Sequence, residues 1–230
     1  MTQEQTVLWG RGSSTNVQKV IWACAELGLT PERRIVGGPH GGLDTPGMIA
    51  MNPNRAVPIW QEPGLVLWES QAILRHLARG GGQGRLYGRT EVEMARVDQW
   101  LDWFALVCWP PVRMIFLDVF RDGVHDFASP EVQSTQTRLE TVLQIADAQV
   151  ETHGYLAGPE FSLADIALAI GLNRLLGMPY DIAVPTGLVH WVGRLSKRPG
   201  FALALQDEPV MPGHPGIDLG QLRMRTLAES

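Results

Sequence analysis

Cysteine is scarce in this chain, because its 230 residues contain only Cys24 and Cys108. The two lie far apart in the sequence and each falls within a helical pattern. Small domains that depend on disulfides carry several cysteines at short spacings, so a disulfide framework is excluded. The pattern predicts two buried thiols in a protein of a reducing compartment.

Long apolar runs and an excess of positive charge are also missing. No apolar run approaches the roughly 20 residues that span a bilayer, and the first six residues are polar rather than signal-like. The net charge is −5, whereas a nucleic-acid-binding surface requires a basic face. We therefore expect a cytoplasmic globular protein with no membrane or nucleic-acid partner.

Several common metal-binding and catalytic patterns are absent. The six histidines form no i,i+4 pair and have no cysteine neighbours, so no metal site is predicted. The sequence has neither a Gly-x-Ser-x-Gly elbow nor a paired-carboxylate arrangement typical of a hydrolase. The glycines of residues 80–84 follow no strand and precede no Gly-Lys-Ser/Thr, so they indicate a flexible linker rather than a phosphate-binding loop.

The most informative stretch is residues 52–70. Two short apolar runs, residues 57–60 and 65–68, flank the turn formers at residues 62–64. This arrangement is a hairpin signature. A helical pattern begins immediately afterwards, at Glu69-Ser70.

This stretch offers several polar groups to a ligand. The backbone of Val57, beside Pro58, is free to pair with something other than a strand, and Pro58 is a candidate for a cis peptide bond. The helix that starts near Glu69 and Ser70 has unpaired N–H groups and a positive dipole end, which suit a carboxylate. Ser70 adds a hydroxyl and Glu69 an acceptor for an ammonium group. Together they predict a site for a ligand with an α-amino acid head and a peptide-like body.

The residues before the hairpin complete an α/β pattern. A strand at residues 6–9 is followed by a helix that ends near residue 27 and by a strand at residues 33–36. A strand–helix–strand unit of this length makes its two strands parallel. With the hairpin added, the pattern predicts a four-stranded mixed sheet, which ends in a helix over residues 69–78.

The second half of the chain is predicted to be all-helical. Apolar residues at three- and four-residue steps predict a helix over residues 94–108, which Pro110-Pro111 should end or kink. A second long helix is expected after Ser129-Pro130. A third begins at Ser162 and Asp165, which form a variant of the capping box.

The remaining signals set the expected boundaries. Pro199-Gly200 indicates a turn after the last helix, and a Pro/Gly-rich tail without a core pattern follows. The predicted segments are a first domain at residues 1–79, a linker at 80–90, a helical domain at 91–205 and a tail at 206–230.

The order Asn-Pro-x-x-x-Val-Pro, hairpin and Glu-Ser in residues 52–70 resembles the glutathione-binding half of the glutathione transferase family. Gly158 followed by Ser162-x-x-Asp165 is similar to the folding motif of that family's helical domain. The resemblance covers about residues 6–205. It implies a thioredoxin-like α/β N-terminal domain, an all-α C-terminal domain and glutathione as cosubstrate, with contacts from Val57, Pro58, Glu69 and Ser70.

Four basic residues are candidates for the glycyl carboxylate of glutathione: Arg11, Lys19, His40 and Arg55. The family often places a basic residue two positions before the proline. That position is Ala56 here, and Arg55 is displaced from it by one residue.

The family's reaction requires a thiolate, and hydrogen bonds to the sulfur near a helix N-terminus lower the thiol pKa. The segment positioned for this is Ser13-Ser14-Thr15-Asn16. None of the three tyrosines lies there, and neither does a cysteine, so the chain resembles the serine- or asparagine-using bacterial branches of the family. We expect Ser14 to contact the sulfur, with Asn16, Thr15 and Ser13 as alternatives. These residues also fit a helix cap, for example a capping box from Thr15 to Gln18.

An apolar cosubstrate is expected to contact Trp103, Val107 and Trp109 of the helical domain. Trp100, Trp103 and Phe104 point to different sides of their helix, which predicts a homodimer, as the resemblance also implies. The expected reaction is transfer of the glutathione thiolate to a small apolar electrophile. The alternatives are a glutathione-dependent reductase or peroxidase, and a non-catalytic interaction protein on the same fold.

Overall fold

The structure, a computed structural model, describes residues 6–81, 84–117, 128–178 and 182–206. These residues form two compact units. The first contains a sheet with helices and comprises residues 6–81, 84–89 and 197–206. The second is helical and comprises residues 90–117, 128–178 and 182–196. The predicted fold class, an α/β unit and an all-helical unit, is confirmed. Of the predicted tail, only Gln206 lies within the described residues.

The sheet of the first unit has four strands in the order β2-β1-β3-β4. Strands β1 and β2 are parallel, and the other two neighbouring pairs are antiparallel, so the predicted mixed sheet is confirmed. The strands are β1 (Val7–Trp9), β2 (Glu32–Arg34), β3 (Ile59–Glu62) and β4 (Leu65–Trp68).

Two strands are displaced from their predicted positions. β2 ends at Arg34 because its partner β1 is only three residues long and pairs Trp9 with Arg34. β3 starts at Ile59 rather than at Val57. The peptide bond between Val57 and Pro58 is cis, and the β1–β3 ladder begins after it, with Trp9 opposite Ile59.

Three helices and a short 3₁₀ turn surround the sheet in the first 81 residues. Helix α1 ends at Gly28, which adopts the left-handed conformation at φ 72°. Helix α2 was not predicted, although Thr45 caps it by accepting a hydrogen bond from the Met48 N–H and proline takes its first position. Helix α3 continues through two glycines that the sequence suggested belong to the linker. The bounds are α1 (Thr15–Leu27), the 3₁₀ turn (Gly38–His40), α2 (Pro46–Met51) and α3 (Ser70–Gly81).

Residues 84–89, within the predicted linker, make contacts with the rest of the first unit. Tyr87 is buried, and its hydroxyl accepts a 2.8 Å hydrogen bond from Arg79, whose guanidinium also lies over the ring. Arg85 donates to the backbone carbonyl of Glu26.

A helix near the end of the chain, α9 (Pro199–Leu205), also belongs to the first unit. The sequence predicted a turn here, but a proline at the first helical position starts a helix. Arg198 binds both carboxylate oxygens of Glu26, at 2.8 and 2.6 Å, and Phe201 packs edge-on against Trp22. Gly200 permits this approach, because a Cβ there would lie 2.5 Å from the Trp22 ring.

The second unit is a bundle of helices. It contains α4 (Glu91–Trp103), a π-helical turn (Phe104–Cys108), α5 (Trp109–Met114), α6 (Pro130–His153), α7 (Leu163–Leu176) and α8 (Thr186–Leu195). Ser129 caps α6 as predicted, by accepting a hydrogen bond from the Val132 N–H. Helix α7 is buried on all sides up to Leu175, so it forms the centre of this unit.

Pro110-Pro111 does not end the helix that contains it. The N–H of Trp109 bonds to the carbonyl of Phe104, five residues back, so the turn before the prolines is widened. Prolines cannot donate to the preceding turn, and a π turn is one way in which a helix passes such a site.

The continuous helix Glu91–Leu117 is long and apolar enough to cross a membrane, judged by length and composition only. It is the one such helix in the described part of the chain. A single helix of this kind is weak evidence, because the core helix of a soluble protein meets the same criterion.

The start of α7 is held by a buried carboxylate. Asp165 accepts hydrogen bonds from the Ser162 N–H at 2.7 Å, the Ser162 hydroxyl at 2.8 Å and the Leu156 N–H at 2.9 Å. Burial raises the pKa of Asp165 to about 6, and the donated hydrogen bonds act in the opposite direction. The predicted Ser-x-x-Asp cap is therefore formed, in a structural role.

Candidate functional site

The loop before α1 is tied to the end of β2. The Gly10 N–H donates to the Arg34 carbonyl at 2.9 Å, and the Arg11 N–H donates to the Val36 carbonyl at 3.1 Å. The left-handed φ of Gly10, 146°, favours glycine.

Gly10 also has no space for a side chain. A Cβ at this position would lie 2.5 Å from Val17 and 3.1 Å from Val57. The absence of that side chain lets the first turn of α1 pack close to Val57. The packing around Gly10 thus brings together two parts of the predicted glutathione site.

Ser14 occupies the N-cap position of α1, but its hydroxyl makes no capping hydrogen bond. Thr15 is the first helical residue, so the capping box proposed from Thr15 to Gln18 is not formed. The Gln18 backbone N–H bonds to the Ser14 carbonyl, as in an ordinary first turn. The Ser14 hydroxyl therefore belongs to a residue at the positive end of a helix and is not used for capping.

Asn16 and Ser70 connect the starts of α1 and α3. The Ser70 hydroxyl is 3.3 Å from the Asn16 side-chain oxygen and donates to it. Ser70 is buried and Asn16 half-buried. The bond engages Asn16 with another part of the site, whereas Ser14 has no such engagement. Thr15 and Ser13 are both half-buried in the same segment.

Glu69 has an unusual backbone conformation. It lies between β4 and α3 with φ at 68°, in the left-handed region that non-glycine residues seldom adopt. Its carbonyl accepts the Ile73 N–H, which begins α3, and its side chain is exposed. Strained residues of this kind concentrate at ligand-binding sites, where the surrounding structure holds them in place.

Val57 and Pro58 lie immediately before β3. Val57 is half-buried and falls outside the β1–β3 ladder, which starts at Ile59, so the ladder does not use its backbone. Pro58 is buried.

The candidate cations occupy different positions. The Arg11 side chain lies against Gly38, so it is close to the turn that carries the exposed His40. Arg55 is exposed and forms a 3.1 Å ion pair with Asp44. Lys19, which was a candidate for the glycyl carboxylate, is instead only 3% exposed within α1.

The predicted cosubstrate residues do not share one environment. Trp103 packs edge-on against Trp100, and Val107 is half-buried in the π-helical turn. Trp109 stacks on the buried Phe104 with their ring centres 5.9 Å apart.

The burial of Phe104 corrects part of the dimer argument. A Cβ at Gly171 of α7 would lie 2.7 Å from the Phe104 ring, so this ring packs inside its own unit. Phe104 therefore adds nothing to an external apolar surface, contrary to the sequence argument.

Both cysteines are buried, as predicted, and burial raises the pKa of the Cys24 and Cys108 thiols to about 12. Such thiols are unreactive near neutral pH. Within residues 6–81, 84–117, 128–178 and 182–206, no group of three or more His, Cys, Asp or Glu side chains could hold a metal ion.

Two family models match the chain. The model "Glutathione S-transferase, N-terminal domain" matches residues 13–79, and the model "Glutathione S-transferase, C-terminal domain" matches residues 106–199. The chain belongs to the glutathione S-transferase family. The predicted family, a glutathione-using transferase, is thereby confirmed.

Individual relatives agree with this assignment. Glutathione S-transferase GstB of Escherichia coli is 31% identical over 194 residues, which cover 84% of this chain and 93% of the relative. The crystal structure of the theta class glutathione S-transferase of Xanthomonas axonopodis pv. citri, with glutathione bound, is 35% identical with a TM-score of 0.80. That match covers 87% of this chain and 96% of the other. Glutathione transferase F7 of Populus trichocarpa, 24% identical with a TM-score of 0.78 over 89% of this chain and 99% of the other, shows the shared fold.

Proposed function

We propose that this transferase binds glutathione at the starts of α1 and α3, stabilises its thiolate with Ser14, and transfers the sulfur to a small apolar electrophile. The observation that carries the proposal is the Ser14 hydroxyl, which sits at a helix N-terminus without a capping bond. The link between Asn16 and Ser70 supports it, because this link holds the two helix starts together.

The γ-glutamyl end, the peptide portion and the glycyl end of glutathione each have candidate binding groups in the protein. The Glu69 carboxylate accepts the ammonium of the γ-glutamyl group, and the start of α3 with Ser70 accepts its carboxylate. The backbone of Val57 pairs with the peptide portion. Arg11 and His40 are the candidates for the glycyl carboxylate, and Arg55 is a further candidate that forms an ion pair with Asp44.

Ser70 changes its partner in this scheme. Its hydroxyl hydrogen is directed to Asn16, so donation to a ligand carboxylate requires the hydroxyl to rotate. The 3.3 Å separation is long for a bond between two oxygens, so the exchange costs little. Asn16 thereby holds Ser70 in place until the ligand arrives.

The chemical step uses groups that stabilise negative charge on sulfur. The thiol loses its proton to solvent, and the Ser14 hydroxyl donates to the thiolate at the positive end of α1. The thiolate forms a C–S bond with the electrophilic carbon, and the leaving group departs with its electron pair. Trp103 and Val107 supply apolar surface for the electrophile, with Trp109 as a further candidate.

A cosubstrate panel tests the reaction class. We expect turnover of a chlorinated aromatic with glutathione, and little turnover of an organic hydroperoxide or a mixed disulfide. Neither cysteine is a reactive thiol, which weighs against a mechanism that uses a protein cysteine. Glutathione binding without turnover of any of the three compounds would contradict the proposed transfer and favour an interaction protein.

We also propose a cytoplasmic homodimer. Val92 and Leu106 of the second unit are 62% and 73% exposed, and Val66 and Trp68 of the first unit are each more than a third exposed. Exposed apolar side chains of this kind mark association surfaces. Light scattering at micromolar concentration should give twice the chain mass, and a monomer mass would contradict the proposal.

A further inference from the structure

Asn52 is a buried polar residue of the first unit that the proposed function does not use. It follows α2 as the C-cap residue and is only 2% exposed. Burying an amide side chain costs free energy unless its donor and acceptor groups are hydrogen-bonded. The bonds that Asn52 makes therefore indicate the role of this side chain.

The side chain of Asn52 closes the loop at residues 52–56. Its Nδ2 donates to the Ala56 carbonyl at 2.9 Å, and its Oδ1 accepts the Asn54 backbone N–H at 3.0 Å and the Asn54 side-chain Nδ2 at 3.1 Å. The Asn52 carbonyl also accepts the Arg55 N–H at 3.1 Å. These bonds surround Arg55, whose φ of 50° lies in the left-handed region that a non-glycine residue adopts only when its surroundings support it.

The end of α2 does not require this side chain. The bond that closes the helix runs from the Asn52 backbone N–H to the Met48 carbonyl at 2.8 Å, and other residues with a backbone N–H can make it. The backbone of Asn52 is extended, with φ at −145°, a conformation that other residues adopt as easily. The amide side chain is directed to the loop instead of to the helix.

The Ala56 carbonyl belongs to the same peptide group as the Val57 N–H. This peptide bond is trans, whereas the next one, between Val57 and Pro58, is cis. In a planar trans peptide the carbonyl and the N–H point in opposite directions. A side chain that binds the Ala56 carbonyl therefore fixes the direction in which the Val57 N–H points. The β1–β3 ladder starts at Ile59 and does not use this N–H.

We propose that Asn52 is a positioning residue of the glutathione site: by binding the Ala56 carbonyl, it directs the Val57 N–H towards the peptide portion of the ligand. This inference rests on the proposed function, in which the Val57 backbone pairs with that portion. The same bond acts by polarisation. A carbonyl that accepts a hydrogen bond makes the N–H of its peptide group a stronger donor, so Asn52 strengthens the bond to the ligand as well as directing it.

The first experiment is calorimetry with reduced glutathione on the full chain and on Asn52→Asp, Asn52→Ala and Asn54→Ala. An ionised aspartate keeps an acceptor for the Asn54 N–H but cannot donate to the Ala56 carbonyl. We therefore expect Asn52→Asp to bind about tenfold more weakly, which corresponds to about 1.4 kcal/mol. Asn52→Ala should lose at least as much. Asn54→Ala is the matched control, because it removes one bond to the Asn52 side chain and keeps the bond to Ala56, so it should bind as the parent does.

The outcomes distinguish the inference from its alternatives. Parental affinity in Asn52→Asp and Asn52→Ala would overturn the inference even if both proteins melted at lower temperatures, because a side chain that only stabilises the loop leaves the affinity of the folded protein unchanged. An equal loss of affinity in Asn54→Ala would also overturn it, since loop closure in general would then be responsible. No binding by the parent would overturn the proposed function itself.

A second measurement uses the unaltered chain, so it does not depend on the folding of a variant. With ¹⁵N labelling, the side-chain amides of Asn52 and Asn54 give separate signals. Glutathione should move the Asn52 amide proton that faces Ala56 to lower field, because a bond from the Val57 N–H to the ligand makes the carbonyl of the same peptide group a stronger acceptor. The Asn54 signals should move less. An Asn52 signal that saturating glutathione leaves in place would overturn the inference.

Discussion

The hydroxyl groups of two N-cap serines in this molecule, Ser14 and Ser162, have different partners. Ser14 and Ser162 are the N-caps of α1 and α7. The Ser162 hydroxyl donates to the buried Asp165 carboxylate, whereas the Ser14 hydroxyl makes no capping bond. The residue three positions later accounts for the difference, since it is Asp165 in α7 and Val17 in α1.

The comparison distinguishes a helix start that serves stability, that of α7, from one that is proposed to serve ligand binding, that of α1. The start of α7 is held by hydrogen bonds to one carboxylate, which leaves no group for a ligand. The start of α1 is held by packing, with Val17 and Val57 against Gly10, and the Ser14 hydroxyl is proposed to contact the substrate.

The largest effect on stability is expected for Asp165→Ala, which removes the carboxylate that holds the start of α7. It leaves the N–H groups of Leu156 and Ser162 and the Ser162 hydroxyl without their acceptor, at a cost on the order of 4 kcal/mol. We expect a soluble but much less stable protein, or one that fails to fold, as measured by denaturant unfolding. Asp165→Asn, which keeps one acceptor oxygen, should lose less. Equal stability of Asp165→Ala and the parent would contradict a structural role.

Gly10→Ala disrupts the packing that holds the first turn of α1, where the N-cap side chain makes no capping hydrogen bond. The added Cβ meets Val17 at 2.5 Å and Val57 at 3.1 Å, on a backbone that favours glycine, so we expect a loss of about 2–3 kcal/mol. Glutathione affinity should fall as well, because Val57 belongs to the proposed site. Gly193→Ala is the matched control, since no atom lies within 4 Å of its added Cβ. If the Gly10→Ala protein had the affinity and stability of the parent, packing around Gly10 would not explain how the start of α1 is held.

The paired changes Ser14→Ala and Ser162→Ala sharpen the comparison directly. Ser162→Ala should lower stability by about 1–2 kcal/mol and leave the pKa of bound glutathione unchanged. Ser14→Ala should change stability by less than about 0.5 kcal/mol and raise the thiol pKa by about 1–2 units, at 1.36 kcal/mol per unit. The ultraviolet absorbance of the bound thiolate, titrated against pH, gives the second quantity. A shift in Asn16→Ala but not in Ser14→Ala would transfer the sulfur contact to Asn16.

The smallest expected effect concerns pH. The pKa of Lys19 is about 7 in the folded protein and has an ordinary value of 10.5. Between these values the unfolded chain binds the extra proton, so this group makes the free energy of unfolding rise as pH increases from about 7 to 10. Lys19→Met lacks this contribution, and the difference between the two proteins should change across that range. A constant difference would show that Lys19 titrates as an ordinary surface lysine does.

Patterns of neighbouring residues were sufficient to predict much of the fold. The hairpin, the βαβ unit and the Ser162-x-x-Asp165 cap depend on neighbouring residues, and each was predicted. Helix α2 carried a readable signal, a threonine cap followed by proline, that the prediction did not use. The π turn was not predictable from the prolines alone. Prolines indicate that the hydrogen bonding of the helix must change, but they do not determine which change occurs.

Several residues of the candidate site were proposed from the sequence, whereas the hydrogen bonds and packing that connect them were not. Val57, Glu69 and Ser70 were identified from their order in the sequence. The Asn16–Ser70 bond joins residues 54 positions apart, and the burial of Lys19 depends on packing between helices. Such features arise only when the chain is folded, so they leave no periodic pattern in the sequence.

The pairing of Glu26 with Arg198 has a consequence for synthesis. The ribosome delivers the sheet, α1 and α3 first, then the whole helical unit, and only then the residues that cover Trp22 and Glu26. Until that moment, one face of α1 remains open to water. The nascent first unit is therefore incomplete for as long as roughly half of the chain takes to be translated, and removing residues 197–206 would leave it permanently in that state.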